Sequence, residues 1–342
     1  MIEHDLSMKK QKNRLTPGFT KSSTLILRQN FRQVSALIIL IVLFLVYINI
    51  HPKKLSTYIL TIWANQGTGL ALPAMAQTVV VLTSGIDLSV GGIFSLANCI
   101  ASELVHGSIA AVAVGVSAVL LAGLFCGFIN GLIVVYGRIQ PIIVTLATGS
   151  VFSGIALFLR PVTGGKIHQG LSDALTYDIL GIPTSLILLA ALFFLVWRPI
   201  KSTKLGRGIY AVGSSEIAAY MSGVKVRQAK IAAYVLAGFL AALGGLFVGL
   251  QTLTGDASIG ALYTMNSIAA TVLGGTSLSG GVGGMFGSIV GAFILRTISS
   301  IMFFSGVPPL AQPFFEGLVL LGALSLGAVR LINVRNKLDI LS

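Results

Sequence analysis

The stretch IAAVAVGVSAVLLAGLFCGFINGLIVVY, residues 109–136, decides the class of fold. Its 28 residues carry no charge, and about 20 apolar residues suffice for a helix to cross the hydrocarbon of a bilayer. Of the 342 residues in the chain, 55% are hydrophobic and 10% are charged, against about 25% charged in an average soluble domain. No soluble globule of this size has enough interior to bury so much apolar surface. We therefore expect an all-α, polytopic transmembrane helical bundle.

Ten apolar segments are predicted to cross the membrane, and the basic residues test that number. Lysine and arginine near helix ends are retained on the cytoplasmic side. Basic patches in 1–32 and in 198–230 fall on one side if six crossings separate them, and four more crossings bring Arg330, Arg335 and Lys337 to the same side. Both termini are then cytoplasmic. The segments are 33–50, 58–82, 88–105, 109–136, 139–159, 183–199, 231–251, 263–280, 285–304 and 310–329.

This pattern divides the chain into a basic cytoplasmic tail (1–32), a transmembrane permease domain (33–330) and a cytoplasmic tail (331–342). The domain carries its main cytoplasmic loop at about 200–230. Segment 263–280 is unusually rich in Gly, Ser and Thr. Because every backbone group in hydrocarbon needs an internal partner, a short or broken helix buried among its neighbours is plausible there.

The net charge of +13 does not indicate a nucleic-acid partner. The charge is gathered in patches between apolar stretches, and no aromatic-rich platform accompanies it. The two cysteines, Cys99 and Cys126, lie in apolar stretches, which supports neither a disulfide framework nor a zinc site.

Two series of glycines recur at every fourth residue, which places each series on one helix face. Bare backbone on such a face lets another helix approach closely. Tight packing within one subunit is the expected role, and a subunit interface or a pore lining is the alternative. The series are Gly123, Gly127 and Gly131, and Gly283, Gly287 and Gly291.

Signatures of enzymes are missing from the sequence. It has no Walker A motif, no H-E-x-x-H and no G-x-S-x-G, and the four histidines share no metal-ligand spacing. We expect no catalytic residue, no metal site and no cofactor in this chain. If ATP drives the protein, another chain binds it.

Asp87, in LTSGIDLSVGG, lies between two apolar segments. A carboxylate within a bilayer is costly unless it is paired, so such acids are usually structural partners or functional groups. The spacing of Asp87 and Ser89 resembles a helix start in which the acid caps free N–H groups. A role in the substrate route or in gating is the alternative.

The connection LGRGIYAVGSSEIAAYMSGVKVRQAK, residues 205–230, is the longest predicted cytoplasmic loop. Ser214 or Ser215 is predicted to cap a short amphipathic helix that runs to Met221, and Gly223 is predicted to stop it. Such a helix could dock into a groove of a soluble partner. Alternatively it lies at the interface and only ties two spans together.

Four stretches together resemble the permeases of ribose-type ABC importers, which carry monosaccharides and related small polar solutes. They occur in the order and spacing of that family, so the resemblance covers about residues 33–330. The stretches are VVVLTSGIDLSVGG (79–92), GFINGLIVVYGRIQPIIVTLATG (127–149), LGRGIYAVGSSEIAAYMSGVKVRQAKIAAY (205–234) and SIAATVLGGTSLSGGVGGMFGSIVGAFIL (267–295).

The resemblance implies an inner-membrane permease that forms a homodimer, with a heterodimer as the alternative. It implies a cytoplasmic ATPase that binds ATP and Mg²⁺ and an extracytoplasmic sugar-binding protein. It assigns seven positions to the contact with the ATPase: Gly206, Arg207, Gly213, Glu216, Ala218, Ala219 and Gly223. It places seven others along the translocation path: Asp87, Ser89, Asn130, Gly274, Gly275, Thr276 and Ser277.

The chain departs from the family pattern at four positions. Ser215 stands where Asn is common, Ile217 where Ala is common, and Gln140 where Pro is usual. Arg296 replaces an apolar or small residue within a predicted span, so its side chain either faces the bundle interior or snorkels to an interface.

Three other functions are alternatives to the importer hypothesis. An ion-coupled secondary transporter would need paired intramembrane carboxylates or broken-helix ion sites, for which only Asp87 and Glu316 are candidates. A membrane enzyme would need a catalytic cluster, and a structural scaffold would show no solute-dependent phenotype on deletion.

Overall fold

The computed structural model describes residues 19–52, 56–312, 314–318 and 321, with side chains from residue 34 onward. The described chain is almost entirely helical, as expected where each backbone N–H must find a partner within its own segment. The helices are α1 (Phe19–Ile50), α2 (Thr57–Val81), α3 (Val90–Leu104), α4 (Ile109–Tyr136), α5 (Pro141–Leu159), α6 (Gln169–Thr176), α7 (Thr184–Ala191), α8 (Arg198–Ser202), α9 (Lys204–Ser214), α10 (Glu216–Met221), α11 (Val226–Thr252), α12 (Gly260–Leu273) and α13 (Met285–Phe304).

Three smaller elements complete the described chain. A π-helical turn, Leu192–Trp197, joins α7 to α8. Strands β1 (Asp178–Ile179) and β2 (Ile182–Pro183) form an antiparallel hairpin in which Asp178 pairs with Pro183 and Ile179 with Ile182. A 3₁₀ turn, Pro309–Ala311, follows α13.

Five described helices are long and apolar enough to cross a membrane. Two of the predicted spans, 109–136 and 285–304, coincide with α4 and α13, and the other long helices match their predicted segments within five residues. Two further apolar helices are shorter, Val34–Ile50 within α1 and α3. The five are Ile109–Tyr136, Pro141–Leu159, Thr184–Ser202, Val226–Thr252 and Met285–Phe304. The all-α membrane fold is confirmed.

The predicted span 263–280 is not one continuous helix. α12 has 14 residues and so extends about 21 Å, less than the roughly 30 Å of hydrocarbon. It ends before Gly274, and a glycine-rich loop (274–284) leads into α13. The predicted span 310–329 and the tail 331–342 lie largely or wholly outside the described residues, and α1 starts at Phe19, within the predicted tail 1–32.

The core lies around α2 and α11. All residues of α2 from Gly67 to Val81 are buried, and α11 packs against α2, α3 and α4. By contrast α4 and α5 expose large apolar side chains on their outer faces, such as Leu121 and Phe125 at 63% each. An apolar surface this extensive fits lipid rather than water.

The contact between α4 and α11 depends on glycine. A Cβ at Gly127 would overlap the Tyr234 carbonyl oxygen, and one at Gly123 would overlap the side chain of Ala242. On the facing helix, a Cβ at Gly238 would overlap the Gly123 carbonyl oxygen. The structure thus places this glycine series at a backbone-to-backbone helix crossing within the subunit.

The bundle has two distinct ends. One end, called the basic end below, carries α8, α9, α10 and the start of α11, with seven basic residues between Arg198 and Lys230. The opposite end carries α6, the β-hairpin and a backbone bridge between Gly164 and Gly255.

The glycine crossing can be tested with Gly127→Ala. The added methyl group would force α4 and α11 apart, and overpacking of this kind costs about 1–3 kcal/mol. We expect a clear fall in the melting temperature of the purified protein in detergent. Gly154→Ala is the matched control, because no atom lies within 4 Å of a Cβ there and alanine favours a helix. Equal melting temperatures for the two variants would contradict this account of the crossing.

Candidate functional site

At the basic end, the chain between α8 and α11 is ordered by side-chain caps. Thr203 starts α9, and its Oγ1 accepts a hydrogen bond from the Gly206 N–H (3.2 Å). A Cβ at Gly206 would overlap the Ile200 carbonyl oxygen, so the turn from α8 to α9 needs glycine there. Arg207 is exposed and its Nε donates to the Thr203 carbonyl oxygen (3.4 Å).

The predicted short helix is confirmed as α10. The Ser215 Oγ caps it by accepting from the Ala218 N–H (3.3 Å). Gly223 has a φ of +78°, a left-handed conformation that favours glycine and ends the helix. Ala219 is buried against the bundle, whereas Ala218 is exposed.

One face of α10 presents apolar side chains away from the bundle. Ile217, Tyr220 and Met221 are 76%, 71% and 79% exposed. Beside them lies a groove of about 1300 Å³ that continues to Tyr136 and the start of α11. At the rim, Lys230 Nζ pairs with Glu216 Oε2 at 2.6 Å, and the Glu216 side chain remains 56% exposed.

The end of α9 meets two other segments in a contact that we call the junction, formed by residues 82–84, 210–214 and 279–283. A Cβ at Gly213 would overlap the Leu82 carbonyl oxygen. That oxygen accepts a hydrogen bond from the Gly281 N–H (3.1 Å). The three backbones therefore touch at a position where glycine is required.

Two side chains hold the junction together. The Ser84 hydroxyl lies 3.0 Å from the Gly213 carbonyl oxygen and 2.8 Å from that of Ser279, and its single O–H is shared between these two acceptors. The Tyr210 hydroxyl donates to the Gly283 carbonyl oxygen (3.1 Å). Burial raises the pKa of Tyr210 to about 12, so this hydroxyl stays protonated at physiological pH. The end of α2, the end of α9 and the 274–284 loop thus form one connected unit.

The 274–284 loop is folded on itself and packed on α13. The Ser277 N–H donates to the Val282 carbonyl oxygen (2.9 Å), and the Gly284 N–H donates to Thr276 Oγ1 (3.3 Å). Gly275 adopts a φ of +87°, which favours glycine.

Glycines also bring α12 and α13 into backbone contact. A Cβ at Gly274 would overlap Gly287, and the reverse also holds. A Cβ at Gly291 would overlap the Ala270 carbonyl oxygen. The prediction that Gly283 shares a helix face with Gly287 and Gly291 is wrong, because Gly283 lies in the loop before α13 with a φ of +126°, where a Cβ would overlap Thr276. The contacts of Gly274, Gly275, Thr276 and Ser277 in this structure are therefore packing and turn contacts.

Asp87 is fully buried between α2 and α3. Its Oδ1 accepts from the Ser89 N–H (2.8 Å) and from the Ser89 hydroxyl (2.6 Å). The Asn130 amide on α4 in turn donates to Ser89 Oγ (2.7 Å). Three predicted site residues from two separate stretches of sequence are thus brought together.

Two further side chains fix the loop that contains Asp87. The Gln77 amide, oriented to satisfy both of its groups, donates to the Asp87 carbonyl oxygen (2.9 Å) and accepts from the Asp87 N–H (3.2 Å). Thr145 Oγ1 on α5 accepts from the Leu88 N–H (3.0 Å). Three buried atoms around this network have no described hydrogen-bond partner: Asp87 Oδ2, Asn130 Oδ1 and the Tyr234 hydroxyl.

The structure connects predicted site residues to other parts of the bundle at two places. Asp87, Ser89 and Asn130 form one hydrogen-bonded network, and Gly213 connects the predicted coupling loop to the neighbouring segment 82–84. Sequence reasoning missed Gln77, Thr145, Ser84 and Tyr210. The sequence held a signal for two of these residues, since Gln77 and Thr145 are polar residues inside apolar segments.

Comparison with known proteins assigns the class. A family model described as the permease component of the branched-chain amino acid transport system matches residues 59–324. The chain belongs to this family of importer permeases, the multi-pass inner-membrane components of binding-protein-dependent ABC importers. In such importers a separate ATPase hydrolyses ATP and a binding protein delivers the solute. No solved structure matches the chain.

Three individual relatives are similar to this chain over most of their length. The ribose import permease protein RbsC of Haemophilus influenzae is 34% identical over 291 residues, covering 84% of this chain and 90% of that protein. RbsC of Bacillus subtilis is 38% identical over 261 residues, covering 75% and 80%. The autoinducer 2 import system permease protein LsrC of Escherichia coli is 35% identical over 303 residues, covering 86% of each chain.

The Asp87 network predicts different outcomes for two substitutions. Asp87→Ala removes the acceptor of two buried hydrogen bonds, and unsatisfied buried donors cost about 1–3 kcal/mol, so we expect a lower melting temperature. Asp87→Asn keeps an acceptor oxygen and should melt within a few degrees of the wild type.

The matched control is Asp256→Ala. Asp256 Oδ1 accepts from the N–H and hydroxyl of Ser258 in the same way, but near the surface. We expect little change in its melting temperature. A loss for Asp87→Asn as large as that for Asp87→Ala would show that the charge, rather than the acceptor, is required.

Proposed function

We propose that this chain imports a monosaccharide or a related small polar solute, delivered by an extracytoplasmic binding protein. The observation that carries the proposal is the junction, which connects an exposed helix at the basic end to segments inside the bundle. The names of the relatives, two ribose permeases and one autoinducer 2 permease, support a sugar-like solute. The amino-acid wording of the family description makes a branched-chain amino acid the competing substrate.

The proposed topology has ten crossings, with the basic end and both termini in the cytoplasm. The gathering of seven basic residues at one end of the bundle supports this orientation. The short α12 and the loop after it form one crossing made of helix and loop, which is allowed where protein buries the loop.

The seven predicted coupling positions have two roles in this proposal. Arg207, Glu216 and Ala218 are exposed and would contact the ATPase together with the apolar face of α10. The others shape the element that presents this face. They are Gly206 in the turn before α9, Gly213 in the junction, Ala219 beneath α10 and Gly223 at its end.

Coupling then proceeds through contacts within this chain. Closure of the ATPase on ATP moves α10 and α9, and the junction passes that displacement to residues 82–84 and to the 274–284 loop. Residues 82–84 follow the end of α2, and the 274–284 loop leads into α13. The displacement therefore tilts these two helices, and the solute pathway opens alternately to the two sides of the membrane. ATP and Mg²⁺ bind on the ATPase, and this chain supplies no cofactor. A homodimer gives two such helices for two ATPase sites.

An ion-coupled transporter is the alternative function. Family membership favours ATP drive instead, and one carboxylate oxygen of Asp87, Oδ1, is already engaged by the N–H and hydroxyl of Ser89. Within the described part of the chain, no group of three His, Cys, Asp or Glu residues is placed to hold an ion.

Glu216→Lys tests the coupling contact. The substitution reverses a charge on the exposed face of α10, so it should abolish solute-stimulated ATP hydrolysis and uptake while the protein still reaches the membrane. The measurement is ATPase activity of the complex reconstituted with its ATPase and binding protein. Unchanged stimulation in the variant would count against the assignment.

Two controls separate this contact from the ion pair with Lys230. Lys230→Glu breaks the same ion pair, and an exposed or partly exposed pair is worth about 1 kcal/mol or less, so coupling should survive. The double variant Glu216→Lys with Lys230→Glu restores the ion pair but not the negative charge on the exposed face of α10. In this variant ATP hydrolysis should still not respond to the solute. Recovery in the double swap would mean that the ion pair alone matters.

A further inference from the structure

A cavity of about 400 Å³ with a mixed polar and apolar lining opens among the helices at the end opposite the basic end. It lies between the end of α1, α2, the end of α11, α12 and α13. Under the proposed orientation this is the extracytoplasmic half of the bundle. Its polar lining includes Gln66, Gln251, Tyr263, Arg296, Ser300 and Gln312. Lipid would leave such groups unsatisfied, so the cavity holds water or a solute.

Arg296 is the residue of this lining that costs the most free energy to place within the membrane. It lies eight residues before the end of α13, about 12 Å along the helix axis. An arginine near the centre of a spanning helix costs about 2.5–3.5 kcal/mol on insertion scales. Its Nε is buried without a hydrogen-bond partner, and among the described residues it makes no ion pair. A cation kept here without an ion-pair partner indicates a functional use.

The guanidinium group is held in a fixed position. Its Cζ lies 5.3 Å from the centre of the Tyr263 ring, a cation–π contact. The other neighbour of that ring is Phe94, stacked at 4.2 Å and 20°. Phe94 is fully buried, so Tyr263 is a rigid support for Arg296.

The amides of the lining are also oriented. The Ser300 hydroxyl donates to Gln66 Oε1 (3.1 Å), which leaves the Gln66 NH₂ group as a donor. The Gln251 Nε2 donates to the Asn65 carbonyl oxygen (2.9 Å), which leaves the Gln251 amide oxygen as an acceptor. Donors and acceptors therefore face the same cavity, beside exposed aromatic surface of Phe303.

The charges near the cavity decide between an anionic and a neutral ligand. Glu316 accepts a hydrogen bond from Ser299, which lies one turn from Arg296 on α13. His51 lines the cavity and packs on Phe304 at 4.3 Å. Because Ser299 lines the cavity, its contact with Glu316 places a negative charge beside the cavity, which disfavours an anionic ligand. A neutral solute with several hydroxyl groups suits a guanidinium fork, two amides and an aromatic edge.

We propose that this cavity binds the transported sugar on its passage, with Arg296 donating to two neighbouring hydroxyl groups of the ring. Gln66 and Gln251 orient further hydroxyls, and Tyr263 positions Arg296. The inference rests on the proposed function. It adds that this chain selects its solute directly, in addition to the selection made by a binding protein.

The chain carries a natural reporter beside the cavity. The Trp63 Nε1–H donates to Thr297 Oγ1 (2.9 Å), and Thr297 follows Arg296 on α13. The only other tryptophan in the sequence is Trp197, near the basic end. A Trp197→Phe background therefore makes the intrinsic fluorescence specific to Trp63.

The experiment titrates sugars into the purified full-length permease in a detergent without a sugar headgroup, with no other protein present, so that Trp63 is the only tryptophan in the sample. The probes are D-ribose, D-xylose, D-galactose and D-glucose, with L-leucine for the competing solute class. We expect a saturable change of Trp63 fluorescence with at least one sugar and none with L-leucine. Arg296→Ala should weaken the affinity at least tenfold, and Arg296→Lys should also weaken it because an ammonium group lacks the fork.

Arg160→Ala is the matched control, since Arg160 lies at the same end but pairs with Glu103, and it should bind as the wild type does. Gln251→Ala tests the cavity if Arg296→Ala does not fold. The inference is overturned if no sugar gives a saturable signal, or if the Arg296 or Gln251 variants that fold bind as tightly as the wild type.

Uptake by the full importer in proteoliposomes distinguishes a failure of the cavity inference from a failure of the proposed function. ATP-dependent sugar uptake with an unchanged maximal rate and an unchanged KM in Arg296→Lys would overturn this inference and leave the proposed function standing. Uptake of L-leucine and of none of the sugars would overturn the proposed substrate class as well.

Discussion

Backbone polar groups inside the bundle have no water to bind, and this constraint shapes the breaks between helices that lie within it. Where α2 ends, the Leu82 carbonyl oxygen is satisfied by the Gly281 N–H from a loop nearly 200 residues away. Where the chain turns into α3, the Leu88 N–H is satisfied by Thr145 on α5. These two breaks are thus tied to other parts of the chain, so the segments on either side cannot move independently of those parts.

The same requirement explains how a small surface helix can influence the whole bundle. Gly213 has no side chain, so the end of α9 reaches the backbone of residues 82–84 directly, and Ser84 and Tyr210 add hydrogen bonds to the 274–284 loop. In the proposed coupling, a displacement of α10 by the ATPase would reach the ends of two helices through this backbone contact and these hydrogen bonds. Packed interfaces of this kind tend to shift between discrete arrangements rather than deform continuously.

Much of the fold was accessible from the sequence, because apolar runs in lipid have few alternatives to a helix. Segments 109–136 and 285–304 were placed to the residue, and the cap and stop of α10 followed from Ser215 and Gly223. Segment 263–280 was placed too long, because periodicity does not show where glycines turn the chain. The partners of Ser84, Gln77 and Thr145 could not be predicted, because they lie on segments distant in sequence. Arg296 was recognised as unusual, but its cavity depends on five elements meeting.

The central claim is that the junction moves as one unit during transport. Ser84→Cys and Ser279→Cys, joined by a short bis-methanethiosulfonate reagent that forms a reducible disulfide with each thiol, test it most directly. Ser84 Oγ lies 2.8 Å from the Ser279 carbonyl oxygen, and both native cysteines are buried. The measurement is ATP-dependent uptake by the full importer before and after cross-linking. The account predicts that uptake continues at a similar rate with the link in place. Loss of uptake on cross-linking, restored by reduction, would contradict it, because it would show that the two segments must separate in the cycle.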